Sequence, residues 1–261
     1  MLRRRRTIVL IILLLIVAVV CGLTLRQYLH HPDALWRIVS EQCVPHQRDN
    51  QNPEPCAKVD LQTGYVLLKD INGPLQYLLL PTAKMSGMES PELLQSKTAN
   101  FLWLAWQQRN VMSMRHESPI PDSVISLTIN SATGRTQNQL HIHISCLRTD
   151  VREQLNQYSN TLSTQWQAFP VTLAGNQYIA RKVTEAEFSQ YSPFILLASQ
   201  VSQVRENMGH YGLAMAQLKD GEWVVLATER NLLQLNLASA EQLQDHDCEL
   251  LKNKGPAGAE P

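Results

Sequence analysis

Thr7 to Leu25 is a run of 19 residues without a charge, and Arg3, Arg4, Arg5 and Arg6 stand directly before it. In lipid every backbone N–H and C=O must be satisfied within the segment, so a lone run of this kind can only be a helix there. At 1.5 Å per residue it would be about 28 Å long, close to the thickness of a bilayer's hydrocarbon core. The arginines favour the cytoplasmic side, which predicts a single-pass anchor over 7–25 with residues 1–6 cytoplasmic and the bulk of the chain on the other side. A cleaved signal peptide is the competing reading. Its apolar region is usually shorter and ends in an A-x-A-like site, which Val19-Val20-Cys21 does not supply.

Beyond the anchor the chain must bury a core of its own. Apolar residues make up 44% of the sequence and charged ones 18%, the balance of a folded protein rather than a disordered one. The formal net charge is zero, and Lys and Arg are not concentrated beyond the N-terminus, which argues against a nucleic-acid partner. Cys21 falls in the apolar run, leaving Cys43, Cys56, Cys146 and Cys248. An even number suits an oxidising compartment, and four cysteines allow three pairings. Cys43 with Cys56 would close a short Pro- and Asn-rich loop and is the expected pair. A zinc site from Cys43, His46 and Cys56 is the alternative, but its spacing fits no standard zinc pattern.

Local signals predict a mixed α+β protein built on antiparallel hairpins. Pro32 to Ile38 reads as a short helix and Pro45 to Pro55 as loop. Tyr65 to Asp70 and Leu75 to Leu80 read as strands joined by Asn72-Gly73-Pro74. Ser90-Pro91-Glu92 reads as a helix start, with Leu94, Phe101, Leu102 and Ala105 on one face. Trp103 and Trp106 are expected in the core, with an interfacial surface as the other reading. Val124 to Asn130 is β-rich. Asp150 and Glu153 have capping-box spacing before Val151, Leu155, Tyr158, Leu162 and Trp166 at helical intervals. Thr184 to Glu187 and Ser192-Pro193 open further helices, and Asp220-Gly221 marks a hairpin. The tail, 252–261, is small, polar and expected to be disordered.

Gln139-Leu-His-Ile-His-Ile-Ser-Cys146 alternates strictly. Period-two geometry puts Gln139, His141, His143 and Ser145 on one face of a strand and Leu140, Ile142, Ile144 and Cys146 on the other. Four polar groups in a row are costly to bury unless they bond to something. They therefore face a cleft or a ligand, or they are the wet side of an ordinary strand. As a site, the two histidines suit either a metal or nucleophilic attack on phosphorus.

The surrounding spacing carries a resemblance. Asn130, Gln137, His141 and His143 resemble the histidine-triad signature, and Pro74 to Pro81 with Leu78-Leu79-Leu80 resembles that superfamily's hairpin strand. Ser86-Gly87, Glu92 and the strand ending in Asp70-Ile71 continue the likeness, which runs from about Tyr65 to Leu147. The anchor, the loop cysteines and the long C-terminal half are similar to a narrower group, the membrane-bound CDP-diacylglycerol pyrophosphatases of bacteria. The departures are Ser145 for the third histidine, Gln76 for the hairpin histidine and Lys84 for the histidine after the hairpin strand. A second register would place Gln139 first in the triad and make His141 the nucleophile.

The resemblance implies an HIT-like antiparallel sheet with helices over 32–150, followed by an α+β extension over 151–251. It implies a hydrolase that splits CDP-diacylglycerol into phosphatidate and CMP through a cytidylyl-histidine intermediate, with no metal or other cofactor. His143 would be the nucleophile and His141 its catalytic neighbour. Asp70, Asn130, Gln137, Asn138, Gln139 and Ser145 would bind substrate, Asp70 through the ribose hydroxyls. The expected location is the bacterial inner membrane, with the catalytic domain periplasmic. A metal-dependent phosphohydrolase and a non-catalytic anchored binding module are the competing readings.

Overall fold

A computed structural model describes residues 10–22 and 32–252 of the chain. Residues 10–22 form a helix (α1) whose leucine, isoleucine and valine side chains are all exposed. Among the described residues no helix is long and apolar enough to cross a membrane. The expected anchor over 7–25 runs past α1 at both ends, outside the described residues. So do the basic end, 1–6, and the expected tail except Lys252.

The first folded segment differs from its sequence reading. Helix α2 (Ala34–Arg37) runs into a π-helical stretch, Ile38–Cys43, and then into α3 (Val44–Asn50), where loop was expected. Proline breaks a helix mainly by lacking an N–H and crowding the preceding turn. Pro45 follows the widened π turn and stands in the first turn of α3, where that loss is tolerated. The Cys43–Cys56 disulfide then ties the helices to the sheet edge.

The sheet begins with β1 (Lys58–Asp60), β2 (Tyr65–Lys69) and β3 (Tyr77–Pro81). The turn between β2 and β3 uses Gly73 at φ 62°, a conformation that glycine adopts at no steric cost. A Cβ there would also lie 2.7 Å from the carbonyl oxygen of His246, so the same glycine lets the C-terminal segment approach. The expected helix start at Ser90 yields only a 3-10 turn, Pro91–Leu94. The true helix, α4 (Phe101–Gln108), begins where the Asn100 side chain accepts the N–H of Trp103. Helix α5 (Asn110–His116) follows, then β4 (Ile125–Ile129) and β5 (Ile142–Leu147).

Helix α6 (Thr149–Tyr158) makes no capping box, because Asp150 pairs with the Arg148 side chain instead. Strands β6 (Gln167–Ala168) and β7 (Ile179–Val183) lead to α7 (Glu185–Gln190), which the Thr184 hydroxyl caps. Helix α8 (Pro193–Gln200) precedes the hairpin of β8 (Tyr211–Gln217) and β9 (Trp223–Glu229). A two-residue strand, β10 (Gln244–Asp245), and helix α9 (Glu249–Lys252) end the described chain.

These strands form one sheet in the order β1-β2-β3-β5-β4-β8-β9-β7-β6. Strands β4 and β8 pair antiparallel, so the sheet continues unbroken past residue 150 into the C-terminal half. On the edge of β5, β3 covers Ile142 to Ile144 and β10 takes over at Cys146 and Leu147.

Each face is covered differently. On one face, alternate residues such as Leu67, Leu79, Leu127, Ile142, Ile144 and Met215 pack with α4, α5, α7 and α8 in the largest core cluster. Trp106 and Trp223 meet edge to face there, with ring centroids 4.1 Å apart. Trp103 packs on Phe188 in the same cluster, so both tryptophans serve the core. The opposite face carries two smaller clusters. Val66, Leu68, Leu78 and Leu80 pack with Val39 and the Cys43–Cys56 pair at one end. Leu147, Ala214, Ala216, Val224 and Leu226 pack with Val151 and Leu155 of α6 at the other.

Candidate active site

Between those two clusters the sheet face turns polar. Ser126 and Thr128 of β4 stand beside Ser145 and His143 of β5, and all four are buried. Gln244 from β10 closes one end of this seam. Its amide donates to Ser126 and to the His143 carbonyl, and its oxygen accepts from the Thr128 hydroxyl. Ser145 lies deeper in the seam, with its hydroxyl unpartnered.

At the other end the seam opens into a cavity of about 460 Å³. Asp70, Asn130, Gln137, His141 and His143 line it together with Glu241. Leu35 and Ile38 from the N-terminal helices, with Leu68, Leu78 and Ile71, make its apolar side. Three residues expected at the site do not line the cavity. Gln139 turns back to bond the carbonyls of Pro81 and Ala83 and the N–H of Met85. Its strand begins only at Ile142, so the alternation does not extend to its side chain. Asn138 is exposed, and Ser145 is walled off by Gln244.

His143 is 4% exposed, and its two ring nitrogens have unlike surroundings. Nδ1 lies 3.1 Å from the Gln76 amide nitrogen, 3.3 Å from Glu241 Oε1 and 3.9 Å from Asp70 Oδ2. Nε2 is buried without a hydrogen-bond partner. The acids are themselves held in place. Asp70 accepts from Gln76 Nε2 at 2.6 Å and from the Asn72 N–H, so the β2–β3 turn fixes it. Glu241 accepts from Asn130 Nδ2, while its own N–H donates to Asn130 Oδ1. His246 Nε2 lies 3.5 Å from Glu241 Oε1. His141 donates from Nδ1 to the Gln139 carbonyl at 2.6 Å, and its ring centroid is 4.9 Å from that of His143.

Sequence reasoning missed Glu241, Gln244 and His246, which come from about 100 residues beyond the histidines. The signal that could have found them is the second disulfide. Cys146 at the end of the histidine segment pairs with Cys248 and draws residues 240–248 to β5. Cys43 pairs with Cys56 as expected, which removes both thiolates from the alternative zinc set. Among the described residues no group of three or more His, Cys, Asp or Glu is arranged to hold a metal ion.

Burial keeps both imidazoles uncharged. It pushes His143 down from 6.5 to about 4, with Asp70 raising and His246 lowering the value. His141 is pushed to about 4 by burial and by the neighbouring His143. Turnover that uses a neutral His143 should therefore hold steady from neutral pH downward and fall only as the pH nears 4, where the ring takes a proton. Stability follows with its own sign. An unfolded imidazole protonates below about 6.5, so this contribution to folding is complete above that pH and is lost as the pH drops towards 4. A kcat profile and urea midpoints over that window check the two separately.

Comparison with known proteins adds a family. A family model described as CDP-diacylglycerol pyrophosphatase matches residues 30–252, most of the chain. Among solved structures, "Hnt3" is 13% identical with a TM-score of 0.29, over 42% of this chain and 62% of that one. "Hnt3 in complex with DNA and guanosine" is 12% identical with a TM-score of 0.28, over 42% and 61%. The chain spans about three fifths of the length of these solved chains.

Proposed function

The chain belongs to the CDP-diacylglycerol pyrophosphatase family, and from that premise we propose that His143 Nε2 attacks the phosphorus nearest cytidine in CDP-diacylglycerol. The observation that carries this reading is the unpartnered, uncharged ring nitrogen on a residue lining a cavity with acids and amides around it. An imidazole that is already neutral needs no base to activate it. The leaving group is a phosphate oxygen of low basicity, so little proton donation is required. Attack forms the N–P bond and breaks the P–O bond, whose electron pair leaves with phosphatidate. Water then displaces the imidazole and yields CMP.

The rest of the cavity meets the other needs of that reaction. The amides of Asn130 and Gln137 and the ring of His141 supply polar groups beside the diphosphate, where groups aimed in advance contribute most. Asp70 is the group for the ribose hydroxyls. The apolar side made by Leu35, Ile38, Leu68 and Leu78 suits the base or the glycerol end. Helix α1, with its apolar side chains exposed, is read as part of a membrane anchor that places the catalytic part in the periplasm. An anchor suits a diacyl substrate, because each CH₂ drawn from the bilayer into water costs about 0.8 kcal/mol.

The direct test is mass spectrometry of enzyme quenched during turnover, with hydrolysis run in heavy-oxygen water. A CMP adduct on His143 and label in CMP are the expected results. An adduct on His141 would transfer the nucleophile to the second register. Label in phosphatidate with no adduct would mean water attacks directly.

A further inference from the structure

The contacts around Nδ1 of His143 set which ring nitrogen can attack. A neutral imidazole carries its proton on one nitrogen and its reactive lone pair on the other. Two carboxylates approach Nδ1, Glu241 Oε1 at 3.3 Å and Asp70 Oδ2 at 3.9 Å. The Gln76 amide also faces Nδ1, at 3.1 Å, and its hydrogens compete for the opposite arrangement, since an amide N–H donating to Nδ1 would force the proton onto Nε2. That amide also has charged acceptors in Asp70 Oδ2 at 2.6 Å and Glu241 Oε1 at 3.3 Å, and it has only two hydrogens to give. Glu241 thus lies within reach of a proton on Nδ1 and also competes for the Gln76 hydrogens. It is held for this by paired bonds with Asn130 and by the 3-10 turn Ala240–Leu243.

We propose that Glu241 is the positioning carboxylate of His143, keeping the proton on Nδ1 so that the Nε2 lone pair is available, and balancing the charge that forms on the ring. The inference rests on His143 being the nucleophile. When Nε2 bonds to phosphorus and phosphatidate departs, the ring retains its Nδ1 proton and becomes an N-phosphoryl imidazolium with Glu241 as counter-ion. Hydrolysis returns the electron pair of the N–P bond to Nε2, and the proton from water goes to solvent. Orientation of a reacting imidazole by a buried carboxylate is a general device with large effects on rate.

Two readouts test this on the full-length protein. Ring-nitrogen NMR of histidine-labelled protein, with the His143 signal assigned by its loss in His143→Ala, reports the tautomer without any turnover. The proton is expected on Nδ1 in the unaltered chain and on Nε2 in Glu241→Ala, where the Gln76 amide turns to Nδ1. In the same variant kcat should fall by about a hundredfold or more, with KM changing less. Glu241→Gln, close in shape, can still accept the Nδ1 proton but carries no charge, so it should keep the tautomer and lose part of the rate. Glu241→Asp should recover part of what alanine loses. A melting curve for each variant establishes that it is folded. An unaltered chain with its proton on Nε2 overturns the proposal. So does a Glu241→Ala enzyme within about threefold of normal while His143→Ala is dead. If His143→Ala is itself active, the nucleophile assignment fails, and the two failures cannot be confused.

Discussion

His143→Ala is expected to lower turnover of CDP-diacylglycerol by about four orders of magnitude or more while leaving a folded protein. Removing a covalent nucleophile leaves only binding and electrostatic assistance, which cannot replace the bond to phosphorus. His141, the other ring on the cavity wall, bonds through Nδ1 to the Gln139 carbonyl, and if His143 is the nucleophile its role is to assist rather than attack. His141→Ala should therefore cost less than His143→Ala. The fold should tolerate the loss of His143, because its side chain lies in the polar seam and not among the packed residues of the three core clusters. Initial rates at neutral pH with thermal melts of both variants decide the matter. An active His143→Ala enzyme ends the assignment.

The second large effect concerns stability. Cys146 and Cys248 are separated by 102 residues, and both are buried. Their bond restrains the unfolded chain far more than Cys43–Cys56, whose separation is 13. By loop-closure entropy the longer loop is worth about 2 kcal/mol more than the shorter, within a usual range of about 2 to 5 kcal/mol for a native disulfide. The double variant Cys146→Ala, Cys248→Ala should therefore lower the urea midpoint more than Cys43→Ala, Cys56→Ala. It should also lose activity in the folded state, because the same bond holds β10 and the turn with Glu241 against β5. The reverse order of midpoints would refute the argument.

Much of the architecture was legible because its signals are local. Asn72-Gly73-Pro74 and Asp220-Gly221 need particular backbone angles, and both hairpins form where they predict. Thr184 and Ser192-Pro193 mark real helix starts. Failures came where a local signal met a tertiary one. Pro45 stands inside a helical segment because a π turn precedes it, and Asp150 is diverted from capping by Arg148. The alternation from Gln139 to Cys146 located the histidine strand but overestimated its length. Gln139 is drawn to the carbonyls after β3, a demand that no local pattern reveals. Asp70, Asn130, Gln137, His141 and His143 come together in one cavity. The acid nearest the His143 ring was missed, because only the pairing of Cys146 with Cys248 draws Glu241 to β5, and four cysteines left that pairing open.

Gly73 allows the turn that carries Asp70 to touch the backbone at His246, and β10 lies against the histidine strand. The last described stretch is therefore a keystone for the proposed active centre, whose other stones are laid down earlier in the chain. A polypeptide emerging N-terminus first holds the proposed nucleophile, His143, long before it holds Glu241. Competence for the proposed chemistry thus waits for residues 240–248, which bring Glu241 to the cavity and which the second disulfide ties to β5.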